Sequence, residues 1–563
     1  MPELKEFTVE EVQKHNNTDS LWIIIDGHVY DLTKFQQIHP GGKPILNKVA
    51  GTDASEFFHK YHNVKKVMKK FGIKFRIGKI VDNKTISQNK LSSDIMSSSS
   101  SSSNNNNNNS ALIAVNPTKA DFTGVSPFNT EEQTEVFGDN IPYADPAWYQ
   151  GNRSPFYKES HAKFRQEVRD FVEEHLEPYV DDWEEEGAIP HEVYKAFGQA
   201  GFVAAGCGIP VFPSKYTDRR LQSVTPEEFD PFHELILVDE VCRAGSGGLA
   251  WFLLGGLGIG LPPIWNFARE DIKQRILPGI FAGDKRVCLC ITEPDAGSDV
   301  ANIKTTARKT PDGKHFLVNG TKKWITNGIW ADYFTVAVRT GGEGMGGISV
   351  LLLEKTMPGI TVRKLHTQGM LTSGSTYITF EDVKVPVEHL LGKENEGFKV
   401  IVHNFNHERL GIIGQANRFS RVCYEEAVKH AHKRKTFGTK LINHAVIRNK
   451  LANMAIRIEA VHSWYENLTY QMALMPPKES ALRLGGPIAG CKALATQTLE
   501  LCAREASQIF GGLAYTRGGQ AGKVERLYRE VRAYAIPGGS EEIMLDLAMR
   551  QSLKVHQMLG AKL

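Results

Sequence analysis

The amino-acid sequence predicts a multidomain α+β protein in which a small unit precedes a larger helix–sheet–helix unit. The first observation is length, because 563 residues exceed what one hydrophobic core supports and suggest roughly three to four domains. The second is a polar tract, Ser97 to Ser110, that contains only serine and asparagine. The third is that helical periodicity, then strand patterns, then helical periodicity follow this tract.

The composition is that of an ordinary soluble protein, with 41% hydrophobic and 23% charged residues. Lys and Arg number 67 against 64 Asp and Glu, a formal net charge of +3, so no nucleic-acid partner is indicated. The seven cysteines show no paired spacing, which favours a reduced, intracellular compartment.

Residues 4–82 are predicted to form the first, mixed unit. The stretch "WIIIDGHVYDL" predicts a hairpin that turns at Asp26–Gly27, and "KFRIGKIV" predicts a closing strand. Residues 83–126 follow as a polar linker, because so few apolar residues cannot offset the entropy cost of ordering. A random coil of this length spans roughly 35–45 Å, so the first unit would reach a site on its own chain or on a neighbour.

The larger unit is predicted to contain a helical domain, a β-domain and a second helical domain, over residues 155–285, 286–392 and 393–558. Helical spacing is clear in "KFRQEVRDFVEEHL", where Phe164, Val168 and Val172 recur every four residues. The strand patterns are "RVCLCIT", "HFLVNGTKKWIT" with a hairpin turn at Asn319–Gly320, "ISVLLLEK" and "STYITFEDVKV".

One apolar run, Gly247 to Trp265, approaches the length of a membrane span. Its many glycines, its Pro-Pro pair and the absence of flanking basic clusters argue against exposure to lipid. We expect no integral membrane segment, and we interpret the run as a buried helix that lines an apolar pocket.

Two histidines in the first unit, His39 and His62, are candidate iron ligands. Two opposed imidazoles leave no open coordination position on a haem iron, and such a centre transfers single electrons. His39 precedes Pro-Gly-Gly, which forces a tight turn and lets backbone approach a flat ring closely.

The segments "HVYDLTKFQQIHPGG" and "FFHKYH" resemble the haem-binding core of the cytochrome b5 family. The resemblance covers nearly all of residues 4–81. It implies haem b as a cofactor, with His39 and His62 as its axial ligands. His59 is the rival for the second position, and the spacing of the family favours His62.

A second constellation lies in the larger unit, where "LCITEPDAGSDVANIKTTA" leaves a strand and makes a glycine-containing turn. The hydroxyls of Thr292 and Ser298 and the free backbone N–H groups of such a turn suit a flavin edge and a pyrophosphate. The later stretch "NGTKKWITNG" supplies Trp324, with Thr326 two residues on and therefore expected on the same strand face.

Together with "RKTFG", "QIFGG" and "PGGSEEIM", these motifs resemble acyl-CoA dehydrogenases over residues 155–555. The resemblance implies bound FAD, a site shared between subunits, and a homodimer or homotetramer. The residues implied to contact the flavin and nearby phosphates are Leu289, Cys290, Ile291, Thr292, Ser298, Trp324, Ile325 and Thr326. Those implied to reach the FAD of a neighbouring subunit are Arg434, Lys435, Thr436, Gln508, Ile509, Phe510, Gly511 and Gly512. The C-terminal loop adds Ser540, Glu541 and Glu542 to the cofactor-binding residues.

The catalytic base is expected outside the C-terminal loop. Many family members carry a glutamate there, where this sequence has Gly538. A branch that includes isovaleryl- and long-chain acyl-CoA dehydrogenases places the base on a helix before an arginine, as in "NFNHERLGIIGQANRF" with Glu408 before Arg409. Glu408 also falls on the apolar stripe of Phe405 and Ile412, where burial would raise its pKa. The alternative is a structural Glu–Arg ion pair.

Two acidic residues, Glu541 and Glu542, are poorer candidates for the base because they follow Ser540 in the first turn of a helix. The substrate-contacting residues implied by the resemblance are Ser298, Asn406, Arg409, Gly538 and Gly539. The Gly538 N–H and a flavin ribityl hydroxyl are expected to stabilise the thioester enolate, and the small Gly538 is expected to leave room for a bulky acyl group.

The predicted reaction is FAD-dependent conversion of a fatty acyl-CoA to trans-2-enoyl-CoA, with electrons passed to the fused haem. The external electron acceptor would be an electron-transfer flavoprotein, another redox protein or oxygen. The C-terminal Ala561-Lys562-Leu563 resembles a peroxisomal address, and mitochondrion and cytoplasm are the alternatives. Two other functions stay open: a peroxisomal oxidase that produces hydrogen peroxide, and a non-catalytic haem- or flavin-binding module.

Overall fold

The structure is a computed structural model that describes residues 5–37, 43–61, 75–80 and 137–560. The chain divides into two compact units, Met1–Asn129 and Thr130–Leu563. Several sequence-based predictions lie outside the described residues: the iron ligands His39 and His62, the linker at 83–126, and the C-terminal tripeptide.

The described part of the first unit is a mixed sheet with three short helices. The strands are β1 (Lys5–Phe7), β2 (Asn16–Asn17), β3 (Ser20–Ile25), β4 (His28–Asp31) and β5 (Arg76–Ile80), and the helices are α1 (Val9–Gln13), α2 (Lys43–Val49) and α3 (Ser55–Tyr61). The strand order is β1-β5-β4-β3-β2, with β1 parallel to β5.

The hairpin predicted at Asp26–Gly27 is confirmed. Ile25 pairs with His28 across β3 and β4, and both turn residues have positive φ, 49° and 73°. Two successive positive-φ residues make the tight turn that Asp-Gly sequences favour. The predicted closing strand is β5, which is hydrogen-bonded between β4 and β1.

The second unit begins with a layer of helices. They are α4 (Glu159–His175), α5 (Val180–Glu186), α6 (His191–Gln199), α7 (Phe202–Ala205), α8 (Pro231–Cys242), α9 (Gly247–Phe267) and α10 (Glu270–Phe281). The stripe predicted on α4 is confirmed, since Phe164, Val168 and Val172 are fully buried. Asp230 caps α8 by accepting a hydrogen bond from the Phe232 N–H, and this cap fixes where α8 begins.

The apolar helix α9 is long and apolar enough to cross a membrane by length and composition, but 78% of its most apolar window is buried inside the protein. Residues Trp251–Gly255 form a π-helical turn within it, a distortion that is frequent at functional sites. The part-exposed positions of α9 in this region are Trp251, Gly255, Gly258 and Ile259. They fall on one side of the helix.

A seven-stranded sheet follows the helical layer. Its strands are β6 (Val287–Cys290), β7 (Thr306–Lys309), β8 (His315–Ile325), β9 (Tyr333–Arg339), β10 (Ile348–Glu354), β11 (Ile360–Lys364) and β12 (Thr376–Pro386). The order is β10-β9-β7-β8-β12-β11, and β6 pairs with β9 in parallel. Both faces of β10 are buried, because Val350 and Leu352 pack on the helices while Leu351 and Leu353 fill a core within the β-domain.

The predicted hairpin turn at Asn319–Gly320 is wrong, because β8 runs straight through it. Asn319 pairs with Thr306 of β7, and Gly320 pairs with Phe380 of β12. Glycine is required for another reason: its φ is 145°, and a Cβ there would lie 2.6 Å from the Thr305 Cα. The Asn-Gly sequence therefore marks a close approach between strands.

The C-terminal part is a bundle of long helices. The helices are α11 (Gly397–Val402), α12 (Phe405–Lys433), α13 (Ala445–Leu474), α14 (Pro477–Arg483), α15 (Gly485–Phe510), α16 (Gly522–Ala535) and α17 (Glu541–Met558), with a small β13–β14 ribbon (Lys435–Thr436 and Thr439–Lys440). Helix α12 packs along α13, α15 and α16, and α15 packs along α17. The helices-sheet-helices order predicted from the sequence is confirmed.

Arg418 on α12 joins the bundle to the first helical layer. Its side chain is fully buried, and Nε donates to Asp239 Oδ1 on α8 at 2.9 Å. Its Nη1 donates to Asp145 Oδ1 at 2.9 Å and to the Ala144 carbonyl at 3.2 Å. A buried guanidinium with two carboxylate partners is satisfied, but removal of one member leaves uncompensated charge.

We therefore expect Arg418→Met to lower the free energy of unfolding by about 3–5 kcal/mol, because Asp239 would stay buried without its cation and Asp145 would keep only the longer contact with Arg243. Thermal and denaturant unfolding of the holoprotein measure this change. Arg457→Met on the exposed side of α13 is the control and should change stability little. Equal stability of the two variants would contradict the role of Arg418 in joining the bundle to the first helical layer.

Candidate active site

A buried ion pair holds the loop that contains Thr292 and Ser298. Lys322 on β8 is fully buried, and its Nζ donates to the Ile291 carbonyl and to Glu293 Oε1, both at 2.8 Å. Glu293 also accepts the N–H groups of Lys304 and Thr305, at 2.6 and 3.0 Å. This lysine and glutamate therefore bind the buried backbone of the loop, whereas Thr292 is part-exposed and Ser298 is exposed.

The predicted flavin plate, Trp324, is 51% exposed and has a positive φ of 59°. A bulge between β8 and β12 lies here, since Lys322 pairs with Ile378 and Ile325 with Thr376. The expectation that Trp324 and Thr326 share a strand face is therefore wrong, because the bulge breaks the alternation and β8 ends at Ile325.

Around this bulge the other predicted flavin residues differ in exposure. Leu289 is part-exposed at the end of β6, whereas Cys290, Ile291, Ile325 and Thr326 are buried. A Cβ on Gly255 of α9 would lie 3.2 Å from Thr326 Cγ2, so Thr326 packs against the π-helical turn. The exposed Trp324 and the part-exposed Leu289 and Thr292 thus form the open side of this cluster.

The residues predicted to reach a neighbouring subunit gather at one end of the bundle. Phe510 stacks on His430 with ring centroids 4.3 Å apart, which brings the end of α15 beside the end of α12. Gln508, Gly511 and Gly512 are exposed, as are Arg434 and Lys435, while Ile509 and Phe510 are buried and Thr436 is part-buried. Among residues 137–560, no hydrogen bond, ion pair or ring contact joins this group to the Leu289–Ser298 or Trp324–Thr326 group.

The carboxylate of Glu408 lies beside the C-terminal loop. A Cβ on Gly538 would lie 3.8 Å from Glu408 Oε1 and 2.6 Å from Ile412 Cδ1. Burial raises the pKa of Glu408, and the charges of Arg409, Lys492 and His407 oppose that shift. Within residues 137–560 no side chain donates a hydrogen bond to this carboxylate and no cation forms an ion pair with it.

Arg409 does not form the alternative structural ion pair with Glu408. Its Nε donates to the Gly538 carbonyl at 3.1 Å, and Nη1 donates weakly to Asn406 Oδ1 at 3.4 Å. Burial lowers the pKa of Arg409, and Glu408 opposes that shift. Arg409 and Asn406 therefore lie with Gly538 and Glu408 in one cluster, which leaves the Glu408 oxygens free.

The space expected beside Gly538 is not open. Ile412 Cδ1 fills it, and a Cβ on Gly539 would collide with the Met544 side chain. Both glycines have positive φ, 67° and 96°, so the loop needs them for its backbone path. Open space lies instead beside Gly411 on α12, where an added Cβ would meet nothing within 4 Å.

The start of α17 matches its sequence-based prediction. Ser540 is the N-cap and its hydroxyl accepts the Ile543 N–H. Glu541 Oε1 accepts from Thr496 Oγ1 at 3.1 Å, and the backbone N–H of Glu542 itself and the Ser540 hydroxyl lower the pKa of the exposed Glu542. Neither carboxylate is in the position of a base that meets substrate beside Gly538.

Three sets of charged residues around the site were not predicted from the sequence. They are Lys492, the Lys322–Glu293 pair, and His407, whose Nε2 lies 2.8 Å from Glu234 Oε2. A signal existed for Lys492, because it is the one lysine in the otherwise apolar stretch "GGPIAGCKALA". Charged residues on a buried helix face require partners.

The described residues fit both cofactors. For FAD, the open backbone at Gly297, Gly511 and Gly512, where an added Cβ would meet nothing within 4 Å, leaves room for close approach of a cofactor. For haem, Phe35, Phe58 and Phe75 border the apolar core of the first unit. His59 is exposed and its Nε2 lies 2.8 Å from Asp26 Oδ1, so this rival of His62 already has another partner.

A helical layer, a sheet and a helical bundle, with a part-buried carboxylate that has no ion-pair partner in the described residues, define a flavin-dependent dehydrogenase. Residues 158–284, 288–383 and 395–553 match the N-terminal, middle and C-terminal domains of acyl-CoA dehydrogenases. Residues 8–81 match the cytochrome b5-like haem/steroid-binding domain.

Relatives support the same family. The acyl-CoA dehydrogenase apdG of Emericella nidulans is 41% identical over 429 residues, which cover 75% of this chain and 98% of that protein. An acyl-CoA dehydrogenase of Bacillus subtilis is 33% identical, over 67% of this chain and 94% of that protein. The structure of butyryl-CoA dehydrogenase from Megasphaera elsdenii is 29% identical with a TM-score of 0.64, over 71% of this chain and all of that one.

The chain belongs to the acyl-CoA dehydrogenase family and carries a cytochrome b5-like domain before the dehydrogenase domains. It is an oxidoreductase whose cofactors are FAD and haem. When bound, FAD would supply hydride acceptance and haem would supply one-electron transfer.

Lys322→Met should yield protein with markedly less bound flavin, because the Thr292–Ser298 loop would lose the cation that holds the Ile291 carbonyl. The ratio of flavin to protein absorbance after purification measures this loss. Lys314→Met, an exposed lysine of the same domain, should retain full flavin. A full complement of FAD in Lys322→Met would contradict the role of this pair.

Proposed function

We propose that the protein converts a fatty acyl-CoA to the trans-2-enoyl-CoA, with Glu408 as the catalytic base. The observation that carries this proposal is the Glu408 carboxylate, which lies beside Gly538 with no ion-pair partner in the described residues. Glu408 is part-buried and desolvation disfavours its charged form, so a carboxylate without a partner here is costly unless it has a function. The FAD and acyl-CoA chemistry of the family supplies that function.

The proton-transfer role follows from the charge state of Glu408. Burial raises its pKa above the ordinary glutamate value, so its proton affinity moves toward that required of a general base. Only the ionised form accepts the α proton of the thioester. The rate of flavin reduction should therefore rise with pH as Glu408 loses its proton.

The loop beside Glu408 is proposed to bind the thioester. The Gly538 N–H would donate to the thioester carbonyl, which stabilises negative charge that develops as the α proton leaves. Arg409, Asn406, Gly539 and the exposed Ser298 hydroxyl are the other proposed substrate contacts. Arg409 also positions the loop, because its Nε donates a hydrogen bond to the Gly538 carbonyl.

Glu408→Gln should abolish acyl-CoA-dependent flavin bleaching, by about 10³-fold or more, because an amide cannot accept the proton. Anaerobic stopped-flow absorbance with a series of acyl-CoA chain lengths measures it. Glu426→Gln is the matched control, because Glu426 lies on the same helix and burial also raises its pKa. Unaltered flavin reduction in Glu408→Gln would refute the assignment of the base. Absence of reduction in the wild type as well would favour the binding-module alternative.

We propose that two chains complete each FAD site. Within residues 137–560, no hydrogen bond, ion pair or ring contact joins the cluster at Trp324 to the cluster at Arg434 and Gln508. Phe437 and Tyr515 beside the second cluster are 98% and 95% exposed. A homodimer or homotetramer would bring the second cluster of one chain to the first cluster of another.

The electrons are proposed to pass from the reduced flavin to the haem of the fused domain. Each acyl-CoA oxidation releases two electrons and a haem iron accepts one, so two transfers and an external acceptor are required per turnover. Electron-transfer flavoprotein, another redox protein and oxygen are the candidate acceptors. The polar sequence between the units is consistent with a domain that reaches a site on its own or a neighbouring chain.

Anaerobic addition of a productive acyl-CoA should convert the ferric haem spectrum to the ferrous spectrum after the flavin bleaches. The double variant His39→Ala/His62→Ala should bleach its flavin at the wild-type rate and lack the haem bands, because those imidazoles are the proposed axial ligands. A bleached flavin beside unchanged ferric haem in the wild type would refute the relay.

The peroxisomal oxidase is the second candidate function, and the observation that favours it is the C-terminal Ala561-Lys562-Leu563. Peroxisomal localisation is proposed on the same tripeptide. One equivalent of hydrogen peroxide per acyl-CoA oxidised in air would establish the oxidase, and a yield far below this would favour the relay.

A further inference from the structure

Lys492 on α15 is a fully buried lysine beside the proposed base. Its Nζ donates to the Ala535 carbonyl at 3.0 Å and to the Gly539 carbonyl at 2.8 Å. Within residues 137–560 it forms no ion pair with any carboxylate. Lysine is almost never fully buried unless it is paired, so this arrangement requires an explanation.

The two carbonyls that Lys492 binds lie at the ends of one short loop, Ala535–Gly539. The Ala535 carbonyl belongs to the last turn of α16, where a cation is favourable as a C-terminal partner. The Gly539 carbonyl belongs to no helix, since it precedes the Ser540 N-cap of α17. A simple helix cap accounts for the first contact only, and the second fixes the far end of the loop.

A second cation fixes the same loop from α12. Arg409 Nε donates to the Gly538 carbonyl at 3.1 Å, so two cations bind the carbonyls of Ala535, Gly538 and Gly539. In a planar trans peptide the N–H points opposite to the carbonyl. The N–H groups of Gly539 and Ser540 are therefore directed away from the two cations, and the path of the loop past Glu408 is set.

The charge of Lys492 also acts on Glu408. The charged groups that face Lys492 are Glu408 and Arg409 from α12 and Glu541 and Glu542 from α17. Lys492 favours the ionised carboxylate of Glu408 without contact, because its own N–H groups are directed to the loop carbonyls.

We propose that Lys492 is a positioning residue for acyl-CoA dehydrogenation: its ammonium fixes the Ala535–Gly539 loop, and its charge favours ionised Glu408. The proposal rests on the proposed function, and it goes further by giving this buried lysine two separable effects on one reaction. One effect is the geometry of the Gly538 loop, and the other is the electrostatic state of the base.

A specific pH dependence follows. Burial lowers the pKa of Lys492 to about 8. Below this pKa the ammonium is present, and above it the charge beside Glu408 is lost. The rate of flavin reduction should rise as Glu408 ionises. It should decline as Lys492 loses its proton, because a neutral amine binds the carbonyls of Ala535 and Gly539 more weakly than an ammonium does. The apparent pKa values belong to the coupled pair.

Two substitutions separate charge from geometry. Lys492→Arg keeps a cation that does not titrate, so it should remove the alkaline decline and leave the acid limb near its wild-type position. Lys492→Met removes the charge and both loop hydrogen bonds. It should slow flavin reduction by on the order of tenfold to a hundredfold, because the loop is no longer held in place. Its acid limb should move upward by roughly one pH unit.

The measurement is anaerobic single-turnover flavin reduction by one productive acyl-CoA, on FAD-replete protein, across about pH 6–10. The matched control is Lys523→Met, since Lys523 also donates to a backbone carbonyl, that of Arg243 at 3.3 Å, and pairs with Glu177 away from the site. Lys523→Met should retain the wild-type pH profile.

Several outcomes would overturn the role of Lys492. One is a wild-type rate that does not decline above pH 8, which needs no variant to be folded. Another is a Lys492→Met enzyme with the wild-type rate and profile, or one whose defect disappears when rates are normalised to bound FAD. A wild-type flavin that no acyl-CoA reduces would instead refute the proposed function.

Discussion

The site depends on one constraint, which is that the part-buried Glu408 carboxylate lies among cations and yet is bound by none of them in the described residues. A cation in direct contact would hold the pKa of this carboxyl low and block access to its oxygens. Each neighbouring cation is instead bound elsewhere: Arg409 to the Gly538 carbonyl, Lys492 to Ala535 and Gly539, and His407 to Glu234. Their charges favour the ionised base, while their hydrogen bonds hold the backbone around it.

A buried side chain also binds backbone groups elsewhere in the dehydrogenase unit. Glu530 of α16 accepts the Gly247 N–H at 2.9 Å and the Met370 N–H at 3.2 Å, which joins the bundle to α9 and to the β-domain. Burial and the nearby Glu184 raise the pKa of Glu530 to about 8. Glu184 in turn accepts from the Ser246 hydroxyl at 2.6 Å. Buried carboxyl groups therefore fix backbone where domains meet.

The sequence predicted features that depend on local chemistry. Asp26–Gly27 forms its turn because two adjacent residues adopt positive φ, and Glu408 lies on a helix stripe because residues three and four apart share a face. Features set by distant chain segments were predicted poorly. Asn319–Gly320 has the sequence of a turn, but strands on both sides pair with it. The relation of Trp324 to Thr326 changed because a bulge, which involves β12, interrupts the alternation.

Gly538 shows that the open space around a residue depends on its neighbours and not on the size of that residue alone. The small size of Gly538 suggested free volume, but Ile412 occupies that volume and the positive φ explains the glycine. Open space instead lies at Gly411, one helical turn beyond Glu408 on α12. Asn404 at the start of α12 donates to the Gly258 carbonyl of α9 at 2.9 Å, so the two helices approach each other here. The part-exposed side of α9, with Gly255 and Gly258, thus lies near the face of α12 that lacks a side chain at Gly411. The open space that Gly538 lacks is therefore found beside Gly411, on the helix whose first residues contact α9.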